Sequence, residues 1–100
     1  IRCAWICAMK SITTTTTTYT GQESRWTLVA TAAGADQFSA CCDNPADYAV
    51  HTSLPAETVM GERRDVQVPY RFTASASGDK LYIRCGTPGG YKVNLTTKLA

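Results

Sequence analysis

Apolar and polar residues alternate most regularly in the second half of the chain. From Val66 to Ala76 every second residue is apolar, and the alternation resumes from Leu81 to Cys85 after a polar turn. A period of two is typical of strands that are buried on one face. The pattern therefore predicts a hairpin between these two segments, closed by a two-residue Gly78-Asp79 loop that sets Ala76 opposite Leu81.

The alternation continues after a glycine-rich turn, where Tyr91, Val93 and Leu95 are apolar and their neighbours are polar. A three-residue loop, Pro88-Gly89-Gly90, with Gly90 in the left-handed region, sets Cys85 opposite Val93 and matches apolar with apolar. We therefore expect the chain from Val66 onward to form a three-stranded antiparallel meander.

Three more strands are predicted in the first third of the chain. The first runs to about Lys10, and the second contains six consecutive threonines between Ile12 and Tyr19. Such a run could also indicate a mucin-like stalk, but the proline and serine of such stalks are missing, and β-branched threonine fits a pleated sheet. The third strand, Arg25 to Ala32, has apolar groups on both faces and is expected in the centre of its sheet.

Two short helices complete the prediction. Asp36 to Cys42 can form one, because Phe38 and Cys42 are four residues apart, and Ser53 to Gly61 can form the other, with an N-cap, an early proline and a terminal glycine. The elements together predict a mainly β fold, a small disulfide-stapled antiparallel sandwich or curved sheet with one or two short helices. The alternative is an α+β sandwich with the helices on one sheet face.

Length and composition indicate a single secreted domain over residues 1–100. A domain of 100 residues buries one modest core, and five cysteines without a methionine at position 1 are typical of a mature secreted product. No segment is apolar for long enough to span a membrane. The net charge of +2, with scattered basic residues, argues against nucleic acid as the partner.

The spacing of the cysteines limits how they can pair. Cys3 and Cys7 lie on one face of a predicted strand, roughly 13 Å apart, and cannot bridge each other. A ring between the adjacent Cys41 and Cys42 is strained. Two bridges from Cys3 and Cys7 to the set Cys41, Cys42 and Cys85 remain, with one thiol left over. That thiol is either a buried small hydrophobe, in a monomer, or the link of a dimer.

Catalytic and metal-binding residues are not expected. His51 is the single histidine, and no Cys-x-x-Cys sequence accompanies it, so a zinc site is not predicted. A small ribonuclease-like site would combine His51 with Glu57 or Glu62 as base and Arg63 or Arg64 as phosphate ligand. The residue types are present, but their spacing does not match a strand-borne site. The sequence thus predicts no enzyme and no cofactor.

A binding surface is predicted on the outward face of the meander. Arg and Tyr are enriched at recognition hot spots, and the alternation sends five polar side chains away from the core: Arg71, Thr73, Tyr82, Arg84 and Lys92. The predicted register sets Thr73 beside Arg84 and Asn94. Asn94-Leu95-Thr96 also fits the N-glycosylation pattern. The alternative is an ordinary solvated face, or a face covered by the helices.

In general character the chain resembles the small effector and toxin proteins that microbes, fungi especially, release as virulence factors. The resemblance implies a non-enzymatic, extracellular interaction protein that binds a host or competitor macromolecule, with a protein as the expected partner. The alternatives are an inhibitor of a secreted hydrolase, which would present the loop Asn44 to Leu54, the ribonuclease-like enzyme, and a structural coat or adhesion subunit.

Overall fold

Antiparallel strands account for all of the regular secondary structure in the described residues. The computed structural model describes residues 12–21, 24–34 and 36–98, and no helix occurs within them. The strands are β1 (Ile12–Tyr19), β2 (Thr27–Thr31), β3 (Gln37–Cys42), β4 (Ala46–His51), β5 (Glu62–Arg64), β6 (Tyr70–Thr73), β7 (Lys80–Arg84) and β8 (Tyr91–Lys98). They form two four-stranded sheets, sheet A in the order β1-β8-β3-β6 and sheet B in the order β2-β7-β4-β5. The prediction of a mainly β fold is confirmed.

The threonine run forms a strand, as predicted. β1 pairs with β8 along its whole length, from Ile12 opposite Lys98 to Tyr19 opposite Tyr91. Identical threonines cannot define this register, because a shift by one or two residues would leave their contacts nearly unchanged. The rings of Tyr19 and Tyr91 stack with centroids 5.5 Å apart, and this contact distinguishes the observed register from its neighbours.

The predicted hairpin is wrong, although both of its strands exist. β6 pairs with β3 in sheet A, whereas β7 lies between β2 and β4 in sheet B. The connection crosses from one sheet to the other: the Ala74 N–H donates to the Asp36 carbonyl at 2.8 Å, and the Gly78 N–H donates to the Ala32 carbonyl at 2.9 Å. Ala76 therefore has no cross-strand partner in β7. Alternation identifies the two faces of a strand, but it does not identify the neighbouring strand.

The predicted meander is wrong for the same reason. β8 pairs with β1 and β3, so Val93 lies opposite Thr17 and Cys42 rather than Cys85. The positive φ expected at Gly90 is present, at 107°. A Cβ at this position would lie 2.7 Å from the Tyr19 carbonyl oxygen, so the turn into β8 requires glycine.

Both predicted helices are also wrong. Residues 37–42 form β3, in which Phe38, Ala40 and Cys42 are buried at every second position. Residues 52–61 form a loop that lies over sheet B. Without helices in the described residues, the α+β alternative fails as well. The strand predicted as central, Arg25 to Ala32, contains β2, which is an edge strand of sheet B.

The core lies between the two sheets. Its largest fully buried side chains come from both sheets: Tyr48, Tyr91, Leu81, Ile83, Val93, Cys42 and Cys85. Aromatic rings contact one another across and along the sheets, with Tyr48 and Tyr70 stacked at 5.1 Å and Phe38 and Phe72 at 4.9 Å. Burial of each large apolar side chain contributes about 1.5–3 kcal/mol, so this layer supplies most of the stabilisation.

Each of the predicted disulfides has one cysteine outside the described residues. Cys41, Cys42 and Cys85 are free thiols. The partners predicted for them, Cys3 and Cys7, fall outside the described residues together with the whole first strand, so the stapling between these sets stays a prediction. Within the described ranges the chain has no helix long and apolar enough to cross a membrane.

Candidate binding surface

The outward side of sheet A is a polar surface. Because directly opposite residues share a face, the register defines two rows across the sheet. One row is Thr14, Thr96, Ser39 and Arg71, and the other is Thr16, Asn94 and Cys41. Thr18 and Lys92 extend this surface at one end, and Lys98, Gln37 and Thr73 extend it at the other. These side chains are called the polar face below.

Hydroxyl and amide groups connect β1 with β8 on the polar face. The Thr14 and Thr96 hydroxyl oxygens are 3.3 Å apart, and the Thr16 hydroxyl donates to the Asn94 amide oxygen at 3.4 Å. All of β1 except Tyr19 is exposed. A hydroxyl both donates and accepts, so this half of the face offers hydrogen bonds of either polarity to a ligand.

The charged side chains of the polar face are all cations. Arg71, Lys92 and Lys98 are exposed, and none of the four strands of sheet A contains an aspartate or a glutamate. The ion pairs formed among the described residues lie elsewhere, on β4, β5 and β7. Asp43, which directly follows β3, accepts the Lys92 backbone N–H at 3.0 Å and the Asn44 side-chain amide at 2.8 Å. The polar face therefore has a positive potential that no carboxylate on its strands neutralises.

Two shallow cavities open on the polar face. The first, of about 420 Å³, is lined by residues that include Ser39, Arg71, Thr96 and Lys98. The second, of about 340 Å³, is lined by Thr16, Cys41, Cys42, Asp43, Gln67, Lys92 and Asn94. The first cavity thus combines two cations with neutral hydrogen-bonding groups, whereas the second combines Lys92 with such groups and with the Asp43 carboxylate.

Gln67, at the wall of the second cavity, has an unusual backbone. Its φ is 58°, in the left-handed region that non-glycine residues rarely adopt. The Gln67 N–H donates to the Cys42 carbonyl at 2.9 Å, which anchors the turn before β6 to the end of β3. Such strain costs of order 1–3 kcal/mol and persists where the surrounding contacts impose it.

The outward side of sheet B is covered. Trp26, Ala49 and Tyr82 form a buried cluster there, and Val59 from the loop 52–61 packs against it. The Arg84 guanidinium lies 4.4 Å from the Trp26 ring centroid, and it donates to the carbonyls of Glu57 at 2.8 Å and Val59 at 3.0 Å. These contacts hold the loop over the sheet.

The predicted binding residues are divided between the two faces. Arg71, Thr73 and Lys92 lie on the polar face with Asn94, as expected. Tyr82 and Arg84 lie on sheet B, where Tyr82 is 5% exposed and Arg84 holds the loop. The predicted contact of Thr73 with Arg84 is therefore wrong, since β6 and β7 belong to different sheets. Asn94 is exposed, and its glycosylation stays a prediction.

Sequence reasoning missed two thirds of the polar face, namely Thr14, Thr16, Thr18, Gln37, Ser39, Cys41, Thr96 and Lys98. A signal for the threonines was available, because a strand whose side chains are polar on both faces cannot be buried on either and belongs at an edge. Ser39 had no such signal once its segment was interpreted as a helix. Thr96 and Lys98 follow Asn94 at intervals of two and extend the same alternation.

The residues considered for a ribonuclease-like site are separated. His51 is exposed at the end of β4, opposite Lys80. Glu62 pairs with Arg64 at 3.0 Å, and Arg63 pairs with Asp47 at 3.2 Å. β5 reaches only as far as Tyr48, three residues and roughly 10 Å along the strand from His51. In this arrangement the arginines neutralise carboxylates on neighbouring positions instead of facing the imidazole.

The loop considered for a protease inhibitor is also different from the prediction. Most of the segment Asn44 to Leu54 is β4, which lies between β7 and β5 inside sheet B. A strand with neighbours on both sides cannot enter the cleft of a hydrolase as a free loop. In comparisons with known proteins, no family model, curated protein or solved structure matches the chain.

Proposed function

We propose that the protein is a non-enzymatic, secreted binding protein, effector- or toxin-like, that holds a host or competitor protein against the polar face. The observation that supports this function is the contrast between the two outward surfaces. One is covered by the protein's own loop, whereas the other is open, carries three cations and has no carboxylate on its strands. An ordinary solvated surface mixes charges of both signs.

The chemistry of the polar face favours an acidic partner surface. The Arg71 guanidinium can bind a carboxylate through two parallel hydrogen bonds, and Lys92 and Lys98 add positive charge on either side of it. Threonine and asparagine groups between the cations can pair with backbone amides of the partner. Complementary charge of this kind accelerates association and excludes basic partners.

The test is to remove charge from the polar face and to measure capture of a partner. The double change Arg71→Ala with Lys92→Ala removes two exposed cations without touching the core. We expect affinity for a partner isolated with the wild-type protein to fall by at least about 30-fold, which corresponds to the 2 kcal/mol of a hot spot. Surface plasmon resonance at physiological salt gives the measurement.

A matched control removes the same charge elsewhere. Arg25 and Arg63 are exposed outside sheet A. Arg25→Ala with Arg63→Ala should leave affinity within about threefold of wild type. An equal loss in both double variants would mean that net charge alone drives binding. An unchanged affinity in the Arg71 and Lys92 variant would place the binding surface elsewhere.

A further inference from the structure

Two buried thiols face each other across the core. Cys42 is the last residue of β3 in sheet A, and Cys85 directly follows β7 in sheet B. Each is 1% exposed, and both belong to the same core cluster. The Cys42 thiol donates to the Asp43 carboxylate at 3.8 Å, and the Cys85 sulfur lies 3.2 Å from the Thr87 hydroxyl oxygen. Cys85 is among the groups that raise the pKa of the Cys42 thiol, which agrees with the two side chains lying near each other in the core. No backbone ladder joins these two strands.

We propose that Cys42 and Cys85 form a disulfide that ties sheet A to sheet B. Cys41 is not a competitor for either thiol, because successive side chains of a strand point to opposite faces. It lies on the polar face opposite Asn94 and is partly exposed. The pairing expected from cysteine spacing, which linked Cys42 and Cys85 only to the N-terminal cysteines, is replaced by a bond within the core.

The bond forms by thiol–disulfide exchange with a small-molecule disulfide such as glutathione disulfide. The thiolate of one cysteine attacks the oxidant and expels one glutathione as a thiolate, which leaves a mixed disulfide on the protein. The second cysteine, having lost its proton, attacks the protein sulfur and expels the other glutathione. Two protein thiols are thus oxidised by two electrons, and one glutathione disulfide is reduced to two glutathione molecules.

Burial determines when this exchange can occur. Burial raises the pKa of the Cys42 thiol to about 12, so the folded, reduced protein holds it protonated at neutral pH. Exchange requires a thiolate that the oxidant can reach. The bond therefore forms while the chain is folding. Once the core has formed, it shields buried thiols from the oxidant, and it shields a buried disulfide from a reductant.

The bond should stabilise the sandwich strongly. It closes the chain segment 43–84 into a loop, and long closed loops restrict the unfolded chain most. For a domain of this size the melting temperature should rise by more than about 10 °C. The sheets are otherwise joined by side-chain packing and by the connections between them.

The first experiment identifies the bond by mass spectrometry. The full chain with Cys41→Ser, which removes the adjacent thiol and makes the assignment unique, is unfolded, reduced and refolded with glutathione disulfide. We expect a Cys42–Cys85 linked peptide with the mass of two hydrogens lost. Reduced protein that is already folded should yield little of this peptide in the same time. Linkage of either residue to Cys3 or Cys7, or both residues remaining free after refolding, would overturn the proposal.

The second experiment measures the effect of the bond on stability. Cys41→Ser protein refolded with glutathione disulfide should melt more than about 10 °C higher than the same protein that has been unfolded, reduced and refolded in the presence of a reductant. Cys85→Ala in the same background keeps a small apolar group in the core, and its melting temperature should not depend on the reductant. Equal melting temperatures for oxidised and reduced protein, or a reductant effect that persists in the Cys85→Ala variant, would contradict the bond.

Discussion

Arg84 on the outward face of sheet B and Arg71 on the outward face of sheet A differ in what their guanidinium groups contact. Arg84 on sheet B lies over the Trp26 ring and donates to two carbonyls of the loop 52–61. Arg71 on sheet A makes no hydrogen bond or ion pair within the described residues and opens onto a cavity. An arginine that is enclosed by its own chain stabilises the fold, whereas one that is left open is available to a partner.

The largest expected effect is the loss of Trp26, the centre of the covered face. Trp26→Ala removes the ring that packs on Tyr82 and supports Arg84, so the free energy of unfolding should fall by about 3–5 kcal/mol. Urea denaturation followed by circular dichroism measures it. Met60→Ala, in the same loop but 81% exposed, should change stability by about 0.5 kcal/mol or less. Similar values for both variants would show that the loop does not cover the sheet.

A smaller effect is expected where the loop closes on Trp26. Gly61 has a φ of 66°, and a Cβ there would lie 2.7 Å from both Trp26 Cη2 and the Tyr48 carbonyl oxygen. Gly21 has nearly the same φ, 72°, but nothing within 4 Å. Both changes to alanine incur the cost of the left-handed backbone, about 1–2 kcal/mol.

The difference in stability between the two glycine variants measures the steric contact of residue 61 with Trp26 and Tyr48. Gly61→Ala should destabilise the protein by about 1–3 kcal/mol more than Gly21→Ala, because overpacking forces Trp26 or the backbone of β4 to shift. Thermal unfolding of the two variants side by side gives this difference. If they are equally stable, the loop is free to move away from the sheet.

The smallest effects come from the comparison of the two arginines themselves. Arg84→Ala loses the cation–π contact and the hydrogen bonds to the Glu57 and Val59 carbonyls, and should cost about 2 kcal/mol. Arg71→Ala should change stability by about 0.5 kcal/mol or less, since its side chain is solvated. Chemical denaturation curves distinguish these values. A destabilisation by Arg71→Ala as large as that by Arg84→Ala would mean that the polar face is not open.

The alternation of apolar and polar residues correctly predicted several strands, but it did not predict which strands pair with each other. The alternation around Tyr70, Leu81 and Val93 correctly identified β6, β7 and β8, because the two-residue period follows from the pleat of a single strand. In β3 the buried positions 38, 40 and 42 also alternate, but the separation of four between Phe38 and Cys42 fits a helix equally well. Short apolar segments carry this ambiguity, and the neighbouring strands β6 and β8 resolve it here.

The candidate site was predictable to the extent that it depends on single strands. Arg71, Thr73 and Lys92 were assigned to outward positions, and they lie on the polar face. The contribution of β1 and β3 was not foreseen, because it depends on β8 inserting between them. That arrangement brings together residues that are far apart in the chain, such as Thr14 and Thr96.

By itself the sequence determined that Tyr82 and Arg84 point away from Leu81, Ile83 and Cys85, and the structure confirms these directions. Whether that outward side meets solvent was decided by the tertiary structure alone, since Trp26 and the loop 52–61 come from distant parts of the chain to cover it. The side-chain direction is a property of one backbone segment. Whether the side chain is exposed depends on which other segments bury apolar surface against that face. The hydrophobic effect that drives this burial is non-directional, so the local sequence pattern does not predict which segments these are.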